Sequence, residues 1–453
     1  MKKIIVFLFP LFSIAQSTIG NVIDKKSNIP IEDVKIKINR LDTNTTTDTD
    51  GKFEIKNFSK LKETDTLFFS HISYVPKKAS FKEFKANKFS IFLEEKTELL
   101  DDVIIPLQTT KQLKSKIAYT KLTSLKYALS NFGSVVKDNT IYVAGGDASS
   151  KTDAWKKLQY EKVDPTMADY IRELNFQHSS EMYNGNLMQY NIHTNQWETS
   201  KLKLRKRAYH NANEYDNKIY VLGGKRISAN GVYEYLENTI EVIDLNKQTI
   251  TVDNTNPHQA TEFASFTYNN NLVVVGGSVK MDGNGKKEYS NKMHLYAINS
   301  GYWYELEAMP VAKETTGVLT KNKIYLFGGF NGKPLSTVES FDLLTEKWTT
   351  EGNLFTTLSH PAITSNEDMV YLFENEKIYT YNTNSKELKE YLINLPMKSA
   401  TLFFIEGKLY LLGGYIENYY SKYPSPNLFS IDIIEFENTK PNRSKFLQIL
   451  NFK

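Results

Sequence analysis

The chain has 453 residues, 40% apolar, 13% aromatic and 24% charged, with a formal net charge of +4. That length exceeds what one hydrophobic core usually serves, so at least two domains are expected. The small net charge gives no footing for a nucleic-acid or membrane-surface role, and the absence of cysteine removes disulfides, thiolate metal sites and cysteine nucleophiles together.

The first elements decide the expected compartment. Lys2 and Lys3 precede an apolar run from Ile4 to Phe12, and Ser13 and Ala15 place small residues at −3 and −1 before Gln16. This pattern predicts a secretory leader over residues 1–15. The run is too short to span a bilayer, and no cysteine follows it to carry a lipid. An exported protein is expected, in the periplasm, at the cell surface or secreted.

Residues 16–108 follow as short strands broken by polar turns. Val34, Ile36 and Ile38 alternate with charged residues, as do Phe53 with Ile55 and Ile91 with Leu93. Period two with one polar face predicts a small antiparallel sandwich. The stretches Gly20-Asn21-Val22-Ile23-Asp24, Ile29-Pro30-Ile31-Glu32-Asp33-Val34 and Thr47-Asp48-Thr49-Asp50-Gly51-Lys52-Phe53 resemble the carboxypeptidase-regulatory-like domain. Ser73 stands where that family more often has glycine. The resemblance implies an immunoglobulin- or transthyretin-like β-sandwich, a spacer or binding module without peptidase activity. Asp48 and Asp50 invite a calcium-loop reading, but Thr46 and Asn57 stand where such a loop wants Asp and Glu. An Asp-Gly hairpin turn is the expectation.

After a polar linker at 109–114, an apolar strand ending in two glycines recurs. It reads Ile141 to Gly146, Ile219 to Gly224, Leu272 to Gly277, Ile324 to Gly329 and Leu409 to Gly414. A sixth copy, Val370 to Asn375, keeps the strand and loses the glycines. Each is followed by two apolar or aromatic residues seven positions apart: Tyr190 and Trp197, Ile243 and Ile250, Tyr296 and Trp303, Phe341 and Trp348, Tyr381 and Leu388. Turn-prone residues lie between, which predicts a hairpin with an anchor on each arm. The unit resembles the kelch repeat, of which each copy forms one four-stranded propeller blade. The implied fold is all-β: the sandwich, then a six-bladed kelch-type propeller over 115–440, then a tail at 441–453. The segment near Lys116 to Thr120 is expected to close the ring as the last strand of blade six, with Phe446 to Leu450 as the competitor.

In an up-and-down blade, the loop after strand two and the loop between blades share one face. Blade one carries 43 residues between its glycines and its next anchor, against 18 in blades two and three and 11 in blade four. This insertion, 147–189, holds two helix-like stretches and Trp155, an expected ligand-binding residue, and is read as a lid. The inter-blade loops supply the expected ligand-binding residues: Arg207 and His210, His258 and Glu262, Lys313 and Glu314, His360, and Lys398. Arg207 sits at the kelch position where Arg commonly starts the inner strand, aligned with Ala260, Ala312, Leu358 and Met397. The histidines show no metal-ligand spacing, and no Gly-x-Ser-x-Gly elbow is present. Copper-radical oxidases share the kelch propeller but need a Cys-Tyr crosslink that this chain cannot form. No cofactor is expected. The reading is a binding module for a glycan, peptide or envelope protein. The alternative is a sugar-active enzyme resembling kelch-type sialic-acid mutarotases.

Overall fold

The computed structural model describes residues 18–38, 43–55, 58–96, 112–176, 183–228, 233–281 and 286–448. The expected leader lies outside them. The chain divides into two compact units at Thr109 and Thr110.

The first unit is a two-sheet sandwich. In one sheet Thr18–Asp24 lies between Lys52–Ile55 and Ser90–Leu93; the other runs Thr43–Thr46, Lys35–Ile38, Thr66–His71, Tyr74–Ser80. Their alternating residues Val22, Ile36, Phe53, Leu67, Phe69 and Ile91 meet in the core. The sandwich is not wholly antiparallel, because Ser90–Leu93 pairs parallel to Thr18–Asp24. A short helix, Phe81–Ala86, makes that crossover, opened by a capping box between Ser80 and Glu83. Asp48 accepts from the Asp50 and Lys52 N–H groups, and Gly51 takes a φ of 71°. The Asp-Gly turn therefore forms, but it carries the chain from one sheet to the other and closes no hairpin.

Among its described residues the second unit holds six sheets of four or five strands, in chain order in all but the last, and three smaller loop sheets. Gly133–Lys137, Asn211–Tyr215, Ala264–Tyr268, Gly317–Thr320, Ala362–Asn366 and Thr401–Ile405 are the inner strands of blades one to six. The sequence-paired anchors face each other across the outer hairpins: Tyr190 opposite Trp197, Ile243 opposite Ile250, Tyr296 opposite Trp303, Phe341 opposite Trp348, and Tyr381 opposite Leu388. The three aromatic–Trp pairs share one geometry, with centroids 4.9–5.0 Å apart at 41–43°. Each indole N–H then donates outside its own blade, Trp197 to the Thr123 carbonyl, Trp303 to the Thr255 hydroxyl and Trp348 to the Glu307 carbonyl. The tryptophans are half-buried, because the polar edge must reach those loops while the ring packs.

The glycine pairs are steric requirements. Gly223 and Gly224 have φ of 69° and 79°. A Cβ on Gly223 would sit 2.5 Å from the Phe263 ring, and the Gly224 N–H donates to the Ala260 carbonyl of the next blade. Only glycine turns there with a neighbouring backbone so close. Blade five does without: the Glu374 carboxylate takes the N–H groups of Ser359 and His360 at 3.0 and 3.2 Å. Its strand Met369–Glu374 keeps the central place that its apolarity implies.

The ring is closed from the N-terminal side, where Thr120–Lys121 pairs with Leu428–Asp432 as the fourth strand of blade six. The C-terminal competitor goes elsewhere. Arg443–Phe446 adds a fifth strand to blade five, so the expected tail at 441–453 is in part propeller. Arg443 Nε donates at 3.0 Å to the buried Glu390 carboxylate, which draws that strand onto the blade edge.

Candidate functional site

Five bridges show that the loops before the inner strands and the loops after the glycine pairs share a face: Ser130 with Asp147, Ala208 with Lys225, Thr261 with Ser278, Glu314 with Phe330 and Lys398 with Tyr415. The next residue in each inter-blade loop lies two positions before its inner strand. These are Asn131, Tyr209, Glu262, Thr315, His360 and Ser399, one per blade, and all six line the small cavity at the channel mouth. Asn131, Tyr209, Glu262 and Ser399 hold φ between 46° and 60°. Four side chains are thus aimed from a backbone region that non-glycine residues seldom occupy. Below the mouth the channel is lined by polar residues including Ser134, Asn211, Ser265 and Thr401.

Three of the expected binding residues, Arg207, Lys313 and His258, are enclosed in the blades, which corrects the sequence reading; His210 is buried as well but lines the mouth cavity. Arg207 is fully buried; its guanidinium donates to the Gly223 and Thr239 carbonyls and to Glu241 at 2.7 Å. Lys313 is also fully buried and donates to the Gly328 carbonyl at 2.9 Å and to Glu339. The two loops superpose in register: Arg207 and Lys313 both lie four residues before their inner strands, and Glu241 and Glu339 occupy the same place on strand three. Lys313, not Ala312, is therefore the counterpart of Arg207. Blade three fills the same space with imidazoles, His258 Nε2 at 2.8 Å from the Gly276 carbonyl and Nδ1 at 2.9 Å from His294 Nδ1. Burial lowers the His258 pKa to about 4, so neutral His258 donates to Gly276 and accepts from His294. His210 is buried with Nε2 at 2.9 Å from the Ala144 carbonyl, and burial takes its pKa down to about 3. These groups satisfy the carbonyls that the glycine turns expose between blades.

The open face holds the others. Glu314 is fully buried beneath the mouth, with Lys287 Nζ at 2.6 Å and His360 Nε2 at 3.0 Å. His360 keeps 22% side-chain exposure and stacks on Phe330. Burial works against its charge, but Glu262, Glu314 and Glu374 outweigh that and raise its pKa. Glu374 is itself raised, by burial. Lys398 is half-buried and paired with Glu417 at 2.8 Å. Tyr209, which the sequence reading passed over, donates to Asp147 at 3.2 Å and lies under Lys225 Nζ at 4.7 Å from its ring. Lys225 in turn is held by both oxygens of Glu234 at 2.8 Å. Beside the mouth these residues wall a pocket of about 510 Å³, completed by Lys151, Tyr235, Leu236, Thr261, Glu262, Ser278, Val279, Lys280 and Lys287. Tyr209 and Lys225 had a signal in the sequence, because they occupy the same repeat positions as Glu262 and Ser278.

The insertion lies on this face but is moored sideways. Lys151–Thr152 pairs with Ser421–Pro424 of the blade-six loop hairpin, and Tyr183 at its far end donates to Glu234 of blade two. Between them, helix Ala154–Glu161 is capped by Asp153 and joined to helix Met167–Phe176 by Lys157 and Glu173 at 2.8 Å. Trp155 packs edge-on against Tyr170 and lines no part of the pocket or the mouth. It fastens the helix pair, which corrects its expected ligand role. Of the insertion, Lys151 lines the pocket. No group of residues suited to a metal ion occurs among the described residues.

Comparison with known proteins matches both units. The CarboxypepD_reg-like domain model covers residues 18–105, and the KLHDC2/KLHL20/DRC7 Kelch-repeats domain model covers 175–381, in that order. The second match runs from blade one into blade five. Kelch-like protein 38 of Homo sapiens is 24% identical over 171 residues, 37% of this chain and 28% of that protein. The chain thus spans under a third of that relative's length. The chain is similar to CarboxypepD_reg-like domains over its sandwich and to kelch-repeat domains over most of its propeller, in that order along the sequence.

Proposed function

We propose that this protein, a carboxypeptidase-regulatory-like sandwich followed by a kelch propeller, is an exported envelope protein whose propeller binds a peptide segment of a protein partner, with the sandwich as accessory domain. The pocket of about 510 Å³ beside the six-residue ring carries this reading. It falls in the size range of preformed ligand sites and carries hydroxyls, charges of both signs and an apolar wall at Leu236 and Val279. A peptide suits it better than a glycan. Sugars stack on open aromatic faces, and of the two tyrosines in this pocket Tyr209 has Lys225 over its ring at 4.7 Å and Tyr235 has Arg226 against one face at 4.9 Å.

The test is panning of a random 12-residue peptide library on the full chain. Enriched peptides are expected to bind about tenfold less well when Tyr235→Ala and Lys280→Glu remove two exposed parts of the pocket wall. Peptides that bind the variant as well as the parent would place recognition elsewhere.

A second reading, sugar-active catalysis, is favoured by the Glu314–His360 contact, which can hold a protonated imidazole at the mouth. It predicts catalysed mutarotation of N-acetylneuraminate that His360→Gln abolishes; rates equal to the uncatalysed reaction would end it.

A further inference from the structure

We infer that Glu262 is the anchor for a cationic side chain, arginine or lysine, of the bound peptide; this rests on the peptide-binding reading above. The argument is one of elimination among the charges at the site. Glu234 is occupied by Lys225, Glu314 by Lys287 and His360, Asp147 by Ser149 and Tyr209, Glu374 by two backbone N–H groups, and Glu417 by Lys398. Of the two carboxylates that line the mouth and the pocket, Glu234 is held by Lys225, and Glu262 accepts no side-chain hydrogen bond or ion pair from another described residue. The cations that its charge reaches, Lys287, His360 and Lys422, are engaged by other groups, the first two by Glu314 and the third by the Tyr415 ring.

Position strengthens the case. Glu262 lines both the mouth and the pocket, a place it shares with Tyr209. Its φ of 52° is a conformation that costs about 1 kcal/mol or more for a residue with a Cβ, and Thr315 and His360 at the same repeat position avoid it. The half-buried carboxylate therefore looks into a cavity large enough for a long side chain and its flanking backbone, with the Tyr209 phenol and the Thr261 and Ser278 hydroxyls around it. A carboxylate so placed favours a ligand that brings several N–H donors and a positive charge, as guanidinium and ammonium do. Beside the paired Lys225 and Lys287, the pocket has Lys151 and Lys280, both exposed and screened by solvent.

The experiment pans the same peptide library on the full chain and on Glu262→Gln in parallel. Sequences enriched on the parent should align on one Arg or Lys, and those enriched on the variant should not. A synthetic enriched peptide with citrulline in place of that Arg keeps the shape and loses the charge. It should bind the parent about tenfold or more weakly than the Arg peptide, and bind Glu262→Gln within about twofold of it. Enriched peptides with no shared basic position, or an equal citrulline penalty on both chains, would overturn the assignment while leaving peptide binding intact. If panning enriches nothing on the parent, the peptide-binding reading fails, and the anchor fails with it.

Discussion

The buried ionisable side chains divide by sign of their pH response. His210 is neutral in the fold with a pKa of about 3 and titrates near 6.5 when unfolded, so its stabilisation is complete above 6.5 and is lost as pH falls towards 3. His258 behaves alike down to about 4. His360 has the opposite sign: its pKa is raised, so its contribution is complete below 6.5 and is lost as pH rises through the folded value. Stability should be greatest near pH 6.5–7. On the acid side, urea denaturation of His210→Gln should show a slope shallower by about 1 kcal/mol per pH unit than the parent; an unchanged slope would mean His210 takes up its proton in the fold. For the cation in blade four, Lys313→Met alone should cost about 3–5 kcal/mol by leaving Glu339 buried and unpaired, whereas Lys313→Met with Glu339→Leu should recover most of it. Additive losses in that pair would contradict the coupling of Lys313 to Glu339. None of this burial was legible in the sequence. Arg207, His210, His258 and Lys313 look like loop charges, and only the depth to which a loop dives between blades tells a carbonyl-satisfying cation from an exposed one.

At the scale of elements the sequence was far more informative, since strand apolarity, the glycine pairs and the seven-residue anchor spacing all report one blade geometry. Where the repeat lost a feature, packing supplied a substitute. Glu374 caps in blade five what glycine turns achieve elsewhere, so Glu374→Ala should lower stability by about 1 kcal/mol, measured by urea denaturation, by stranding two half-buried N–H groups. A neutral result would mean water replaces the carboxylate. The outer hairpins allow a graded comparison. Trp303→Ala should cost about 2–4 kcal/mol, less than a fully buried Trp, because its ring is partly exposed. Trp155→Ala should cost the propeller under about 1 kcal/mol, since Trp155 is 39% exposed and packs within the insertion. Equal losses would make the insertion helices part of the propeller core. The added strand Arg443–Phe446 was not legible, because three polar residues and one phenylalanine resemble a tail until the buried Glu390 is seen to pair with Arg443.

The whole propeller is an arrangement that delivers six loop residues to one mouth. Ring closure by Thr120–Lys121 fixes the first blade against the sixth and lets residues from Asn131 to Ser399 meet around one axis. The face was legible from the alternation of strand direction, as was the presence of Glu262, Glu314, His360 and Lys398 on it. The pocket was not, because its walls come from the loop hairpins of blades two and three, whose pairing no motif announces. The central claim is that this face receives the partner, and hydrogen–deuterium exchange of the full chain with and without an enriched peptide tests it most directly. The account predicts slowed exchange at 207–210, 225–228, 233–236, 260–263 and 278–281, with the turns at 138–140, 192–195 and 246–248 on the opposite face unchanged. Protection confined to those opposite turns, or to the sandwich at 18–96, would contradict it.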